Sequence, residues 1–222
     1  MVKLIAFFKR KAGLSVQAFQ KHWRGDHAEL VIRQAGLRRY VQNHTLESAY
    51  QSREPVYDGV AEAWFDDTES MRALAGSAEY KAVRDDESRF IDPGSMGVLI
   101  TDEVVVVDGP ESKIKMVTFL NKRTDVTAEF FQHHWRENHG PLAAQIPGLL
   151  RYVQCHARPG IYAAGRSPLF DGIPISWFED MQSLRDSGES AAYSQTRADE
   201  KNFMISGRLP FVITRAHEIE VQ

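Results

Sequence analysis

Apolar and polar positions along this chain switch between two periods, and they do so twice in the same order. Val2–Phe8 is a short apolar run rich in strand formers, ended by the polar residues 9–13, and it predicts a strand. Phe19, Trp23 and Leu30, with Gln34, then recur at helical spacing behind Ser15, a candidate N-cap. Residues 37–46 and 56–65 read as the second and third strands, with a loop at 47–55 long enough for a lid. Residues 66–90 have helical composition, and 98–107 close the series as a fourth strand.

The second pass matches the first: strands at 115–120, 149–157, 169–178 and 210–221, a lid-length loop at 158–168, and helical composition at 179–203. Thr127 stands in the N-cap position, and Phe131, Trp135, Leu142 and Ile146 repeat the helical stripe. The first helices end at Gly36 and at Pro147-Gly148. Gly140-Pro141 predicts a helix break just after His139 and, by analogy, near His27. Each half is thus strand-helix-strand-strand-helix-strand, a ferredoxin-like βαββαβ arrangement with helices on one sheet face. The other face needs a partner, which the second copy supplies, sheet against sheet.

The match extends to individual residues. His22, Trp23 and His27 return 112 positions later as His134, Trp135 and His139, and Tyr40, Gln42 and His44 return as Tyr152, Gln154 and His156. After one inserted residue, Asp58-Gly59, Trp64-Phe65, Tyr80 and Arg84 return as Asp171-Gly172, Trp177-Phe178, Tyr193 and Arg197. Two long copies indicate a duplicated domain, since a solenoid needs shorter and more numerous repeats. The domains are 1–109 and 113–222, joined through a polar turn at 108–112 that is short enough to hold the halves together.

Composition narrows the function classes. A net charge of −3 disfavours nucleic-acid and anionic-membrane partners. Lys9-Arg10-Lys11 and Lys122-Arg123 are the basic clusters, expected at strand ends. The single cysteine, Cys155, allows no internal disulfide, suits a reducing compartment and reads as a buried structural residue. The apolar stretch at the N-terminus is too short for a signal peptide and no run is long enough to span a bilayer, so a cytoplasmic location is expected.

The Phe-x-x-His-Trp-x-x-x-His segments (Phe19 to His27, Phe131 to His139) and the Tyr57–Phe65 strand resemble the EthD family of the dimeric α+β barrel superfamily. The resemblance covers both halves. It implies an α+β fold in which two tandem halves form an intrachain, pseudo-dimeric α+β barrel. It also leaves room for a homodimer of the two-domain chain. Family members are functionally mixed, from companions of ether-degrading oxygenases to dehydratase- or decarboxylase-like proteins of polyketide pathways. Relatives in the superfamily include cofactor-free cyclases, isomerases and oxygenases, and haem-binding enzymes.

His27 and His139, at the edge of the apolar helix stripe, are the first catalytic candidates. Each could instead cap its helix segment through backbone carbonyls. Tyr40 with His44, and Tyr152 with His156, share a strand face and could orient a phenol or carbonyl, or form a polar ladder at a sheet edge. His22 and His134 lie at the stripe boundary, and Trp23, Trp64, Trp135 and Trp177 are core residues able to wall a substrate pocket. Asp58-Gly59 and Asp171-Gly172 read as strand-entry turns whose glycines supply backbone freedom. Glu62 falls amid apolar neighbours and could carry a raised pKa, while its counterpart is Ile175. If each half forms a pocket, the first is therefore the better furnished. Local spacing does not support a metal site from His27, His44 and Glu62.

Phosphate loops, dinucleotide fingerprints and nucleophile elbows are absent. The expected activity is that of a cofactor-independent lyase or isomerase, acting by histidine acid–base chemistry on a small aromatic or polyketide-like molecule. A cofactor-free oxygenase and a non-catalytic accessory protein that binds a hydrophobic metabolite are the alternatives.

Overall fold

The computed structural model describes residues 1–112 and 114–221; Lys113 and Gln222, the two ends of the second expected domain, lie outside the described residues. The first copy runs β1 (Val2–Phe8), α1 (Val16–His22), a π-helical turn (Trp23–His27), α2 (Ala28–Val31), β2 (Leu37–Thr45), β3 (Gly59–Phe65), α3 (Thr68–Ala73), α4 (Ala78–Phe90) and β4 (Gly97–Val107). The second runs β5 (Ile114–Thr118), α5 (Ala128–His134), a second π-helical turn (Trp135–His139), α6 (Gly140–Ala143), β6 (Leu149–Ala157), α7 (Pro159–Ala163), β7 (Gly172–Phe178), α8 (Met181–Gly188), α9 (Ala191–Asp199) and β8 (Phe211–Ile219). The strands hydrogen-bond in the order β1-β3-β2-β8-β5-β7-β6-β4 and close an eight-stranded α+β barrel.

Two compact units share the chain: Met1–Ile100 with Arg215–Gln222, and Thr101–Thr214. In the first, β3 is the central strand, antiparallel to β1 with Ile5 opposite Glu62 and to β2 with Tyr40 opposite Ala63. Its helical face is packed by Phe8, Phe19, Trp23 and Phe90, all buried, with the Phe8 and Trp23 ring centroids 5.0 Å apart at a steep angle. In the second, β7 lies between β5 and β6, and Leu120, Phe131, Trp135, Phe203 and Met204 form the equivalent cluster. Each edge-on aromatic pair adds roughly 0.5–1.5 kcal/mol beyond its area burial. Cys155 is fully buried.

Three local expectations are corrected. No helix break follows His27 or His139; the helix continues through a π-helical turn into α2 and α6, and Pro141 sits in the first turn of α6, where its missing N–H costs nothing. Gly59 and Gly172 are not required for backbone freedom, since neither has a positive φ. A Cβ at Gly59 would lie 2.4 Å from the Trp23 ring and one at Gly172 2.3 Å from Trp135, so glycine is there for close approach of the indole. The expected lids at 47–55 and 158–168 carry a 3₁₀ turn (Glu47–Gln51) and α7, and each is tied down by a tyrosine: Tyr50 donates to Asp58 and Tyr162 donates to Asp171.

Candidate active site

Ser15 and Thr127 start the first helix of each copy, accepting from Ala18 N and Phe130 N at 3.1 Å. At Trp23 and at Trp135 each helix leaves its regular winding for a five-residue π-helical turn. In a regular α-helix, residues five apart point about 140° away from each other. The π-helical turn wraps one residue more, and π-turns of this kind recur at functional sites. His22 and His27 therefore reach the same carboxylate: Asp86 of α4 lies 3.0 Å from Nε2 of His22 and 2.9 Å from Nδ1 of His27. The second copy repeats the device, with Asp199 of α9 3.0 Å from both His134 Nε2 and His139 Nδ1.

With Nδ1 committed to the carboxylate, Nε2 is the nitrogen that His27 and His139 have available for a ligand. Burial pushes both rings below the ordinary histidine range, with the adjacent aspartate pulling back, so they stay neutral near pH 7. Burial would raise Asp86, but its hydrogen bonds with His27 and His22 outweigh that and hold it below the ordinary carboxylate range. Asp199 behaves alike, burial being outweighed by bonds from Asn202, His134 and His139.

His27 lines a mainly apolar cavity of about 260 Å³ in the first unit, and His139 lines one of about 440 Å³ in the second. Trp23, Tyr40, Tyr80, Arg84 and Glu87 share the first wall; Trp135, Tyr152, Tyr193, Arg197 and Glu200 share the second. The Tyr40 hydroxyl accepts from Trp23 Nε1 and Gln42 Nε2, both at 3.2 Å, which leaves its own proton to donate. Burial pushes Tyr40 and Tyr152 up to about 12, so both stay protonated. Glu87 pairs with Arg84, and Glu200 with Arg197 at 2.7 Å. Burial nevertheless pushes each of these carboxyls up to about 7, against the pull of the arginine. Each cavity thus holds an imidazole whose charged form burial disfavours and a carboxyl group that burial raises to about 7.

Of the residues singled out in the sequence, His27, Tyr40 and Trp23 meet in one cavity, and His139, Tyr152 and Trp135 in the other. The helix-capping alternative for His27 and His139 is not what is seen, because Nδ1 of each binds a carboxylate. His22 and His134 touch the aspartates from outside the cavities. His44 stacks on Trp23 at 4.4 Å, bonds Gln42 Oε1 at 3.1 Å, and faces a separate cleft with Arg24 and His217; it does not line the cavity. His156 likewise bonds Gln154 Oε1 at 3.0 Å. Burial lowers His44 to about 3 and His156 to about 4, so both are neutral.

Glu62 is not isolated among apolar neighbours. It pairs with Lys3 at 2.5 Å and accepts from Asn43 at 2.8 Å, away from the cavity. That removes the reason for ranking the first pocket above the second. Trp64 and Trp177 also lie outside, Trp64 between Lys3 and Arg39 and Trp177 beside Lys115 and Arg151. No group of three potential metal ligands comes together among the described residues. No helix among them is long and apolar enough to cross a membrane.

Asp86, Glu87, Asp199 and Glu200 were not singled out in the sequence. The signal was present: Asp86-Glu87 returns as Asp199-Glu200 at the same 113-residue spacing as Arg84 and Arg197, just two and three positions farther on.

The EthD domain matches residues 11–94 and again 123–206. The chain belongs to the EthD family. An EthD family protein from Bacillus halodurans C-125 is 28% identical over 47% of this chain and 99% of its own, with a TM-score of 0.40. An anthrone oxidase-like protein shares the fold across 98% of this chain and 92% of its own, at 11% identity and a TM-score of 0.66. A proposed monooxygenase from Lactobacillus acidophilus NCFM does so across 99% of both chains, at 9% identity and a TM-score of 0.58. No curated protein matches the sequence.

Proposed function

We propose that this EthD protein is a cofactor-independent lyase that removes water from a small aromatic or polyketide-like hydroxy ketone by proton transfer. The supporting observation is the pairing, in each cavity, of a buried histidine–aspartate dyad with a carboxylic acid held near pH 7. His27 Nε2 takes a proton from the carbon next to the substrate carbonyl, and Asp86 stabilises the imidazolium. Tyr40 donates a hydrogen bond to the carbonyl oxygen as negative charge grows there. Glu87 protonates the departing hydroxyl, which leaves as water, and the electron pair of the broken C–H bond becomes the new double bond. Solvent then takes the proton from His27 and returns one to Glu87. His139, Asp199, Tyr152 and Glu200 hold the same roles in the second cavity. His44, His156 and Glu62 support the walls rather than touch substrate.

Proton removal would also be the first step of a cofactor-free oxygenation, the second reading, to which the description of the anthrone oxidase-like relative points. Mass spectrometry of products from phenolic and aromatic hydroxy-ketone substrates, in air and without oxygen, separates the two. Loss of 18 mass units (about one water) in both atmospheres is expected from general acid–base elimination. A mass gain that requires oxygen would replace the lyase by the oxygenase. Binding without any product would make this an accessory protein.

A further inference from the structure

The two cavities keep the same reactive residues and differ in the walls around them. Ala6 and Ala63 line the first; their equivalents in the second are Thr118 and Ser176. Leu74 and Val83 likewise become Ser187 and Thr196. All four changes run from apolar to hydroxyl, and every one of these side chains is buried.

The hydroxyls fall into two classes. Ser187 donates to Leu184 O and Thr196 donates to Ala192 O, both at 2.8 Å, so these two are satisfied within their own helices. Thr118 and Ser176 have no hydrogen-bond partner among the described residues, although each is only 9% exposed and both line the cavity. They are diagonal neighbours on one face of the β5–β7 pair: Ser176 stands opposite Met116, two residues before Thr118, and on its other side opposite Tyr152. Neither hydroxyl is among the side-chain atoms sealed from solvent without a partner; both open onto the cavity, so in the free protein they are left to water there. An apolar ligand that displaces this water forfeits its hydrogen bonds, whereas one carrying oxygen at that wall replaces them.

We propose that the duplicated cavities have diverged in ligand class: the second takes an oxygenated aromatic whose hydroxyl or carbonyl groups meet Thr118 and Ser176, and the first takes a less oxygenated one. This rests on both cavities being aromatic-ligand sites, as proposed above. The chain then has two specificities built on one set of reactive residues.

Trp23 and Trp135 line one cavity each, so fluorescence titration of a W23F protein reports the second cavity and that of W135F the first. Naphthalene and 1,3-dihydroxynaphthalene are the probes. The dihydroxy compound is expected to bind the second cavity about tenfold or more tighter than naphthalene, with no such preference in the first. Thr118→Ala with Ser176→Ala, the residues of the first copy, should erase the preference while naphthalene still binds; Thr118→Val with Ser176→Ala keeps the volume if the first pair unfolds. Equal preference in the two cavities, or a preference that survives both double variants, would overturn the proposal. If neither probe enters either cavity, the reading of both as aromatic-ligand sites falls too. Because only binding is measured, loss of the lyase reading alone would leave this result standing.

Discussion

Asp86 Oδ2 lies 2.9 Å from His27 Nδ1, a bond that crosses from α4 to the π-helical turn. It fixes which ring nitrogen faces the ligand and supplies the charge that an imidazolium would need. Asp86→Asn together with Asp199→Asn should keep the geometry and lose the charge in both cavities, lowering kcat/KM by about 10²-fold. KM should move little if Asp86 acts only through the histidine. Unaltered kcat/KM in D86N/D199N would leave the aspartates with a packing role.

The acid–base pair gives a sign for pH dependence. The base must be neutral, which holds above a histidine pKa lowered below 6.5, and the acid must be protonated, which holds below about 7. A bell-shaped kcat/KM profile is expected, with its alkaline limb near 7. In E87Q/E200Q that limb should disappear together with most of the activity. A flat profile between pH 6 and 8 (about one unit either side of 7) would exclude these carboxyls as the acid.

Stability carries a separate signature from the same groups. Glu87 and Glu200 are raised from 4.5 to about 7, so their contribution is full below pH 4.5 and is lost as pH rises through 7. His44 is lowered from 6.5 to about 3, so its contribution is present above 6.5 and is lost as pH falls toward 3. Denaturant titrations should find E87Q/E200Q flattened on the neutral side and His44→Gln flattened on the acid side. Parallel pH curves for wild type and both variants would contradict the burial assigned to these groups.

Gly59 tests the packing under the site. Alanine there places a methyl against the Trp23 ring, and overpacking of this kind costs about 1–3 kcal/mol. A melting temperature lower by several degrees is expected for G59A, with the larger part recovered in G59A/W23F. No recovery in the double variant would mean that the strain lies elsewhere.

Much of this was legible in the sequence because the duplication reports on itself. The Phe19-to-His27 segment and its copy pointed to the family and to the histidines that line both cavities, and the alternation of apolar periods to the βαββαβ succession of each half. Asp86 and Glu87 escaped because Asp85-Asp86-Glu87 on a polar helix reads as a solvated face. Only the packing of α4 against the π-helical turn turns that face inward. Glu62 was overvalued for the converse reason: its partner Lys3 lies on β1, and only the β1–β3 register, with Ile5 opposite Glu62 and Lys3 opposite Trp64, makes the two diagonal neighbours. The π-helical turn left no mark beyond the five-residue spacing of His22 and His27, which a regular helix would place on different sides.

The most direct test of the central claim is deuterium exchange at the activated C–H of 2-tetralone, followed by proton NMR in D₂O without oxygen. This ketone asks the dyads for proton removal alone. Wild-type protein is expected to accelerate exchange, with H27Q/H139Q falling at least about 10²-fold while still binding the ketone. Exchange that is equally fast in the double variant would contradict the assignment of His27 and His139 as general bases.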